Sequence, residues 1–241
     1  MEKRNLGKTD IKLTSIGFGG APLGNLFEEL NETDCFDIVK SCFENNINLY
    51  DTSPLYGYGL SEHRIGNFIK TIDPKSYYLS TKVGRYLTPE RNYYKDGKFK
   101  GHINFIPHFD YSYDGVMRSF DQSIHRLAVP EIDICLIHDV DRYTFGNEVD
   151  HYFKIAMNGA YKALNDLKEQ KVIKAIGVGL NDADICTRFA NEGDFDCMLL
   201  AGRYTLLDQT ALDEFFPIAK KNNIGIILGI TVLPCSLYFL M

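Results

Sequence analysis

The chain has 241 residues, 45% hydrophobic and 24% charged, with a formal net charge of −6. No Pro/Gly/Ser-rich linker or sustained charge run divides it, so the composition points to one globular domain over residues 1–241. The acidic balance and scattered Lys and Arg argue against a nucleic-acid partner, and the one membrane-like stretch, 224–241, is too short and too broken by Pro234 for a membrane span.

From residue 14 onward, short apolar runs rich in β-branched and aromatic residues alternate with polar loops and segments of helical period, the pattern of parallel βα units. Strands are expected at 14–18, 47–51, 77–83, 132–138, 175–179, 197–201 and 224–228. Between them, Cys35, Phe36, Val39, Cys42 and Phe43 fall on one helical face after a cap at or near Thr33. Ser61 with Ile65, Phe68, Ile69 and Ile72, and Ser112 with Val116, Met117, Phe120, Ile124 and Leu127, repeat the pattern. Further helices are expected around 156–170, 183–191 and 208–222. The stretch 85–111, rich in Tyr and holding His102 and His108, is long for a βα connection; it reads either as a loop over the site or as a surface insertion. Near-continuous apolar strands suit a sheet covered on both faces, and periodicity alone leaves a closed barrel and an open doubly wound sheet both open.

Three of these strands end on residues that can carry chemistry. The second ends in Asn48-Leu49-Tyr50-Asp51, the third in Ser80-Thr81-Lys82-Val83 and the fourth in Leu136-Ile137-His138-Asp139. In a barrel, the C-terminal strand ends share one face, which brings Asp51, Lys82 and His138 together, with Tyr56 reaching in from the loop after Asp51. A phenol has a pKa of about 10, and a nearby ammonium favours the tyrosinate. Lys82 supplies that charge, Asp51 is its counter-ion, and His138 can hydrogen-bond a substrate carbonyl or hydroxyl. Taken singly, each residue is more often a turn, packing or surface residue; their shared placement on consecutive strands outweighs that.

Other chemistries find less support. Gly17-Phe18-Gly19-Gly20 loosely matches a dinucleotide fingerprint, but Pro22 and the lack of an immediate helical stripe count against it. There is no G-x-S-x-G elbow, Walker A loop or H-E-x-x-H, and the six histidines lack metal-ligand spacing, so no metal is expected. The six cysteines form no C-x-x-C pair and sit mostly among apolar residues; with no apolar run behind Met1, a reducing cytoplasm is the simplest setting.

Tyr50-Asp51-Thr52-Ser53-Pro54-Leu55-Tyr56-Gly57, followed by Ser61-Glu62, resembles the aldo-keto reductase signature. Ser80-Thr81-Lys82-Val83-Gly84 is similar to the family's lysine strand, and 121–127 with 132–138 to the helix and strand leading to its histidine. Asn5-Leu6-Gly7-Lys8-Thr9-Asp10 resembles its N-terminal hairpin. His138-Asp139, Gly177-Val178-Gly179-Leu180-Asn181 and the run 200–209 are similar to the L-fucose, L-galactose and D-threo-aldose dehydrogenase branch. The resemblance implies a (β/α)₈ TIM barrel and hydride transfer between NAD or NADP and an aldose or aldehyde. It also implies Tyr56 as acid and base, Lys82, Asp51 and His138 in support, and Gly20, Asp51 and Asn181 near the cofactor.

The resemblance stops after Gly229, where the sequence turns almost uniformly apolar. It thus implies a barrel incomplete after the seventh strand, with an unpaired edge unless the tail supplies an eighth strand, and without the helix N-terminus that would hold cofactor phosphates. A second expectation follows: a truncated, catalytically inactive variant acting at most as a binding protein.

Overall fold

The structure, a computed structural model, describes residues 1–91, 97–232 and 235–240. A short antiparallel hairpin, β1 (Lys3–Asn5) and β2 (Lys12–Thr14), precedes the barrel. Then follow β3 (Ile16–Gly19), α1 (Glu32–Glu44), β4 (Leu49–Asp51), α2 (Leu60–Ile69) and β5 (Tyr78–Val83). A second hairpin, β6 (Arg85–Pro89) and β7 (Phe105–Phe109), leads to α3 (Tyr113–Leu127) and β8 (Ile134–His138). The chain continues through α4 (Arg142–Phe145), α5 (Val149–Asn158), α6 (Ala160–Glu169), β9 (Ala175–Leu180), α7 (Ala183–Glu192), β10 (Cys197–Ala201) and α8 (Phe215–Lys221), and ends in β11 (Gly225–Val232) and β12 (Cys235–Leu240).

All seven expected strands are present, within a few residues of the expected bounds, as β3, β4, β5, β8, β9, β10 and β11. They pair in parallel in that order. The parallel set of a (β/α)₈ barrel is therefore incomplete at seven, and the eighth position is filled differently. Strand β12 runs antiparallel, pairing Ile227 with Leu240 through Val232 with Cys235 on one side, and Ser236 with Gly19 through Phe239 with Ile16 on the other. The ring is closed, and the unpaired edge of a seven-strand sheet does not arise among the described residues. The direction follows from the connection: a parallel return needs a crossover of a dozen or more residues, whereas only two residues separate Val232 from Cys235.

The interior has two parts. Residues pointing into the barrel, including Leu49, Ile134, Leu136, Cys197, Leu199 and Ile227, pack with Leu6, Ile11 and Leu13 of the N-terminal hairpin, which plugs the bottom. The plug sits so close that a Cβ on Gly7, at φ +55°, would lie 2.5 Å from the Gly225 backbone nitrogen, a conformation and approach suited to glycine. Residues pointing outward, such as Val83, Cys135, Ile137, Ile176 and Val178, meet the helices in the larger cluster. Cys35, Cys135, Cys186 and Cys197 are buried free thiols. No helix of the described residues is long and apolar enough to cross a membrane.

Two of the helix expectations need correction, over 156–170 and 208–222. α1 is capped near Thr33 as expected, by Asn31, whose side chain accepts the Asp34 N–H at 2.8 Å. The segment 156–170 is the second half of a longer helical stretch: α5 begins at Val149, and Gly159, lying close against the Tyr111 carbonyl, separates it from α6. The expected helix over 208–222 shrinks to α8, because Pro217 has no N–H to give a carbonyl one turn earlier and can sit only in a first turn. The stretch 85–111 holds the β6–β7 hairpin, and its Arg85, Lys98, Pro107 and Phe109 line the cleft at the strand ends, as the reading of a segment over the site expects; residues 92–96 lie outside the described residues.

Candidate active site

β4 ends on Asp51, and β5, its neighbour, carries Lys82 at the same end of the barrel. The two side chains meet in the interior: Lys82 Nζ donates to Asp51 Oδ2 at 2.6 Å and to the Thr52 carbonyl at 2.8 Å, and both residues are 1% exposed. Asp51 Oδ1 accepts the Ser80 hydroxyl at 2.7 Å. After Asp51 the chain turns through Gly57 (φ +63°), Tyr58 (φ +54°) and Gly59 (φ +96°) before α2 begins. This left-handed run, which glycine tolerates best, brings the Tyr56 ring to 4.9 Å from Lys82 Nζ. His138, the last residue of β8, meets the same ring edge-on at 5.9 Å. The four residues expected to converge do so.

Their ionisation follows from burial and charge. Burial alone would lower the Lys82 pKa, but Asp51 and Tyr56, by charge and hydrogen bonding, hold it above its ordinary value. The ammonium is therefore kept. Loss of water raises the Tyr56 pKa; Lys82 pulls it back, as the sequence suggested, without overcoming burial, so the phenol stays protonated at neutral pH. Burial, then the positive charges of Arg85, Lys82 and Lys98, push His138 well below its ordinary value, and the imidazole is neutral. Ser53 Oγ lies 3.0 Å from His138 Nδ1 and accepts the Leu55 N–H. Its own proton can then go to Nδ1, which leaves the imidazole proton on Nε2, a donor for a substrate oxygen.

The site has supports that the sequence reading missed. The Tyr111 hydroxyl donates to the His138 carbonyl at 2.6 Å, bracing the turn at Asp139, where φ is +52°. Asp139 accepts Arg85 Nη2 at 2.9 Å, and Asp141 accepts both the backbone and the side-chain N–H of Asn181 at 3.1 Å. Arg85, Asp139 and Asp141 all lie just beyond barrel strands, and that shared position was the available signal.

Of the residues expected near a cofactor, Asn181 lines the same cleft, of about 770 Å³, as Tyr56, Lys82 and His138. Its Nδ2 is taken by Asp141 and, at 3.4 Å, by Asp139; its Oδ1 has no donor among the described residues. Gly20 does other work. Its N–H bonds the Asp51 carbonyl, its own carbonyl accepts Ser61 Oγ at 2.7 Å, and a Cβ there would come within 2.6 Å of that oxygen. Gly20 ties β3 to β4 and α2 behind the cleft, and Ser61, expected as a helix cap, serves this tie.

Converging strand ends around a buried Asp–Lys–Tyr chain and a neutral histidine define a barrel site built for proton transfer at a carbonyl or alcohol oxygen. The chain belongs to the aldo/keto reductase family, which it matches over residues 15–237. It is 39% identical over 240 residues to pyridoxal 4-dehydrogenase of Microbacterium luteolum, covering 95% of this chain and 70% of that one. It is 33% identical to D-threo-aldose 1-dehydrogenase of a Pseudomonas species, covering 90% and 65% of the two chains, and 33% identical to L-galactose dehydrogenase of Arabidopsis thaliana, covering 94% and 64%. The fold matches the holo form of an aldo-keto reductase from Bacillus halodurans with a TM-score of 0.71 at 23% identity, over 95% of this chain and 65% of that one. The chain thus spans about two thirds of the length of these relatives.

Proposed function

We propose that the protein is an oxidoreductase that transfers a hydride between NAD or NADP and an aldose or other aldehyde, in the cytoplasm. The observation that carries this reading is the buried Asp51–Lys82 pair set beneath the Tyr56 ring, with neutral His138 beside it. A bound nicotinamide would supply or take up the hydride. In reduction, the Tyr56 hydroxyl gives its proton to the carbonyl oxygen as the alcohol forms, and in oxidation tyrosinate takes the proton back. Lys82 stabilises that tyrosinate, Asp51 fixes the ammonium, and His138 Nε2 orients the substrate oxygen. Asn181 Oδ1 is suited to accept the N–H of a carboxamide, with Gly20 and Asp51 supporting the floor. The test is nicotinamide absorbance with a panel of aldoses and aldehydes: turnover that Tyr56→Phe removes supports the reading, and turnover that it leaves intact rejects it.

One observation favours a second reading. Behind β11, where a dinucleotide's phosphates would call for a helix N-terminus, the described residues present the antiparallel strand β12. A chain of this form would bind the dinucleotide weakly and act at most as a binding protein. Micromolar binding of NADH or NADPH to the 241-residue chain by isothermal titration would reject that reading.

A further inference from the structure

Arg85 is a charged residue that is 5% exposed in the wall of the cleft, and its hydrogen bonding is incomplete. Nη2 donates to Asp139, while Nη1 is buried without a hydrogen-bond partner among the described residues. The guanidinium stacks at 4.4 Å on Phe109, its cross-strand partner in the β6–β7 hairpin, whose ring is 47% exposed. A buried N–H with no acceptor is costly, so a second acceptor is the missing part of this arrangement.

The surroundings suit an anion. Lys98 lines the same cleft, and its charge, with that of Arg85, acts on both His138 and Asp139. Asp139 Oδ2 lies 3.4 Å from His138 Nε2 and 2.9 Å from Arg85 Nη2, so one carboxylate oxygen separates the guanidinium from the imidazole that orients the substrate. An oxygen bound at Arg85 is therefore only a few bonds from the reacting carbon. The rim carries rings exposed beyond ordinary packing, Phe27 at 60% and Tyr143 at 83%. Phe27 is held at φ +71° by a hydrogen bond from its N–H to the Lys98 carbonyl. Non-glycine residues kept in that conformation gather at ligand sites.

We propose that Arg85, through Nη1 and with help from Lys98, binds an anionic oxygen of the substrate, so that the preferred substrates are planar aromatic aldehydes carrying a carboxylate or comparable acidic oxygen near the carbonyl. The Phe109 ring swings from the guanidinium onto the ligand's ring as the oxygen enters. The proposal rests on the oxidoreductase reading only in calling the ligand a substrate, and its test needs no cofactor.

The experiment measures binding of benzoate and benzyl alcohol to the full chain by titration NMR. The charged ligand is expected to bind roughly 10- to 100-fold more tightly, as for a charge-assisted hydrogen bond, with the advantage shrinking as salt is added. Arg85→Met/Asp139→Asn removes both charges together and leaves no buried ion unpaired. It should bring the two ligands within about two-fold of each other. Lys98→Met, at an exposed position, should weaken benzoate alone by roughly two- to five-fold. With turnover, 3-formylbenzoate should show a lower KM than its methyl ester, and the double variant should erase that difference. The proposal is overturned if benzoate binds no better than benzyl alcohol, or if the double variant, folded by circular dichroism, keeps the preference. Preference for benzoate in a chain without nicotinamide turnover would leave the Arg85 site standing and reject the oxidoreductase reading alone.

Discussion

Replacing Lys82 by methionine tests whether the Asp51–Lys82 pair holds the interior together, apart from the chemistry proposed for it. Both side chains are 1% exposed and meet at 2.6 Å. Removing one partner of such a pair leaves a buried charge uncompensated, at a cost of about 3–5 kcal/mol. Asp51 would keep the Ser80 hydroxyl but lose its only cation among the described residues. For a domain of this size the cost corresponds to a fall in Tm of roughly 6–20 °C. Asp51→Asn/Lys82→Met removes both charges at similar volume and should recover most of the loss. Because the chain has no tryptophan, thermal and urea unfolding are best followed by far-UV circular dichroism. A Lys82→Met protein within about 1 kcal/mol of the parent, or a double variant no more stable than the single one, would refute the argument that the pair is buried and mutually dependent.

His138 supplies a pH dependence. Its pKa is held well below 6.5 in the folded protein, so the unfolded chain binds the proton more readily. Its contribution to stability is full above pH 6.5 and is lost as the pH falls toward the folded value. His138→Gln should flatten the decline in urea-unfolding stability between about pH 6.5 and 5; an unchanged slope would mean that this histidine is not the group responsible. Ser61→Ala removes a hydroxyl bonded to both the Gly20 carbonyl and Thr52 Oγ1, with an expected loss of about 1–3 kcal/mol in the same assay. In β12, Tyr238 is paired through its backbone with both Gly229 and Gly17. Proline there should cost about 3 kcal/mol or more, and amide exchange in β3 and β11 should quicken; unchanged exchange would show that β12 does not close the ring.

The sequence showed the parts of the molecule that depend on local order. Seven strands were legible because apolar runs at 77–83 or 132–138 are buried on both faces, and the candidate catalytic group because Asp51, Lys82 and His138 each close such a run. What it hid depends on partners distant in the chain. Arg85 reads as an ordinary charged residue after Gly84 until the β6–β7 hairpin and Asp139 enclose it. Ser61 reads as a helix cap until β3 places the Gly20 carbonyl over it. The net direction of the Tyr56 shift was hidden for a similar reason: residue types give the charge on Lys82, while the loss of water that outweighs it comes only with packing.

The antiparallel closure bears on the site through curvature rather than contact. In the ring order, β12 stands between β11 and β3, and β8, which carries His138, lies diametrically across from it. A seven-strand sheet with free edges could untwist and open, because only closure fixes the tilt that turns strand ends toward a common axis. Asp51, Lys82 and Tyr56 would survive such opening as a local group on two adjacent strands. His138 reaches them through Ser53 and the Tyr56 ring, contacts that require β8 to curve back toward β4. The first consequence of losing β12 is therefore expected at His138, as a loss of its contacts with Ser53 and the Tyr56 ring while the Asp51–Lys82 pair stays intact.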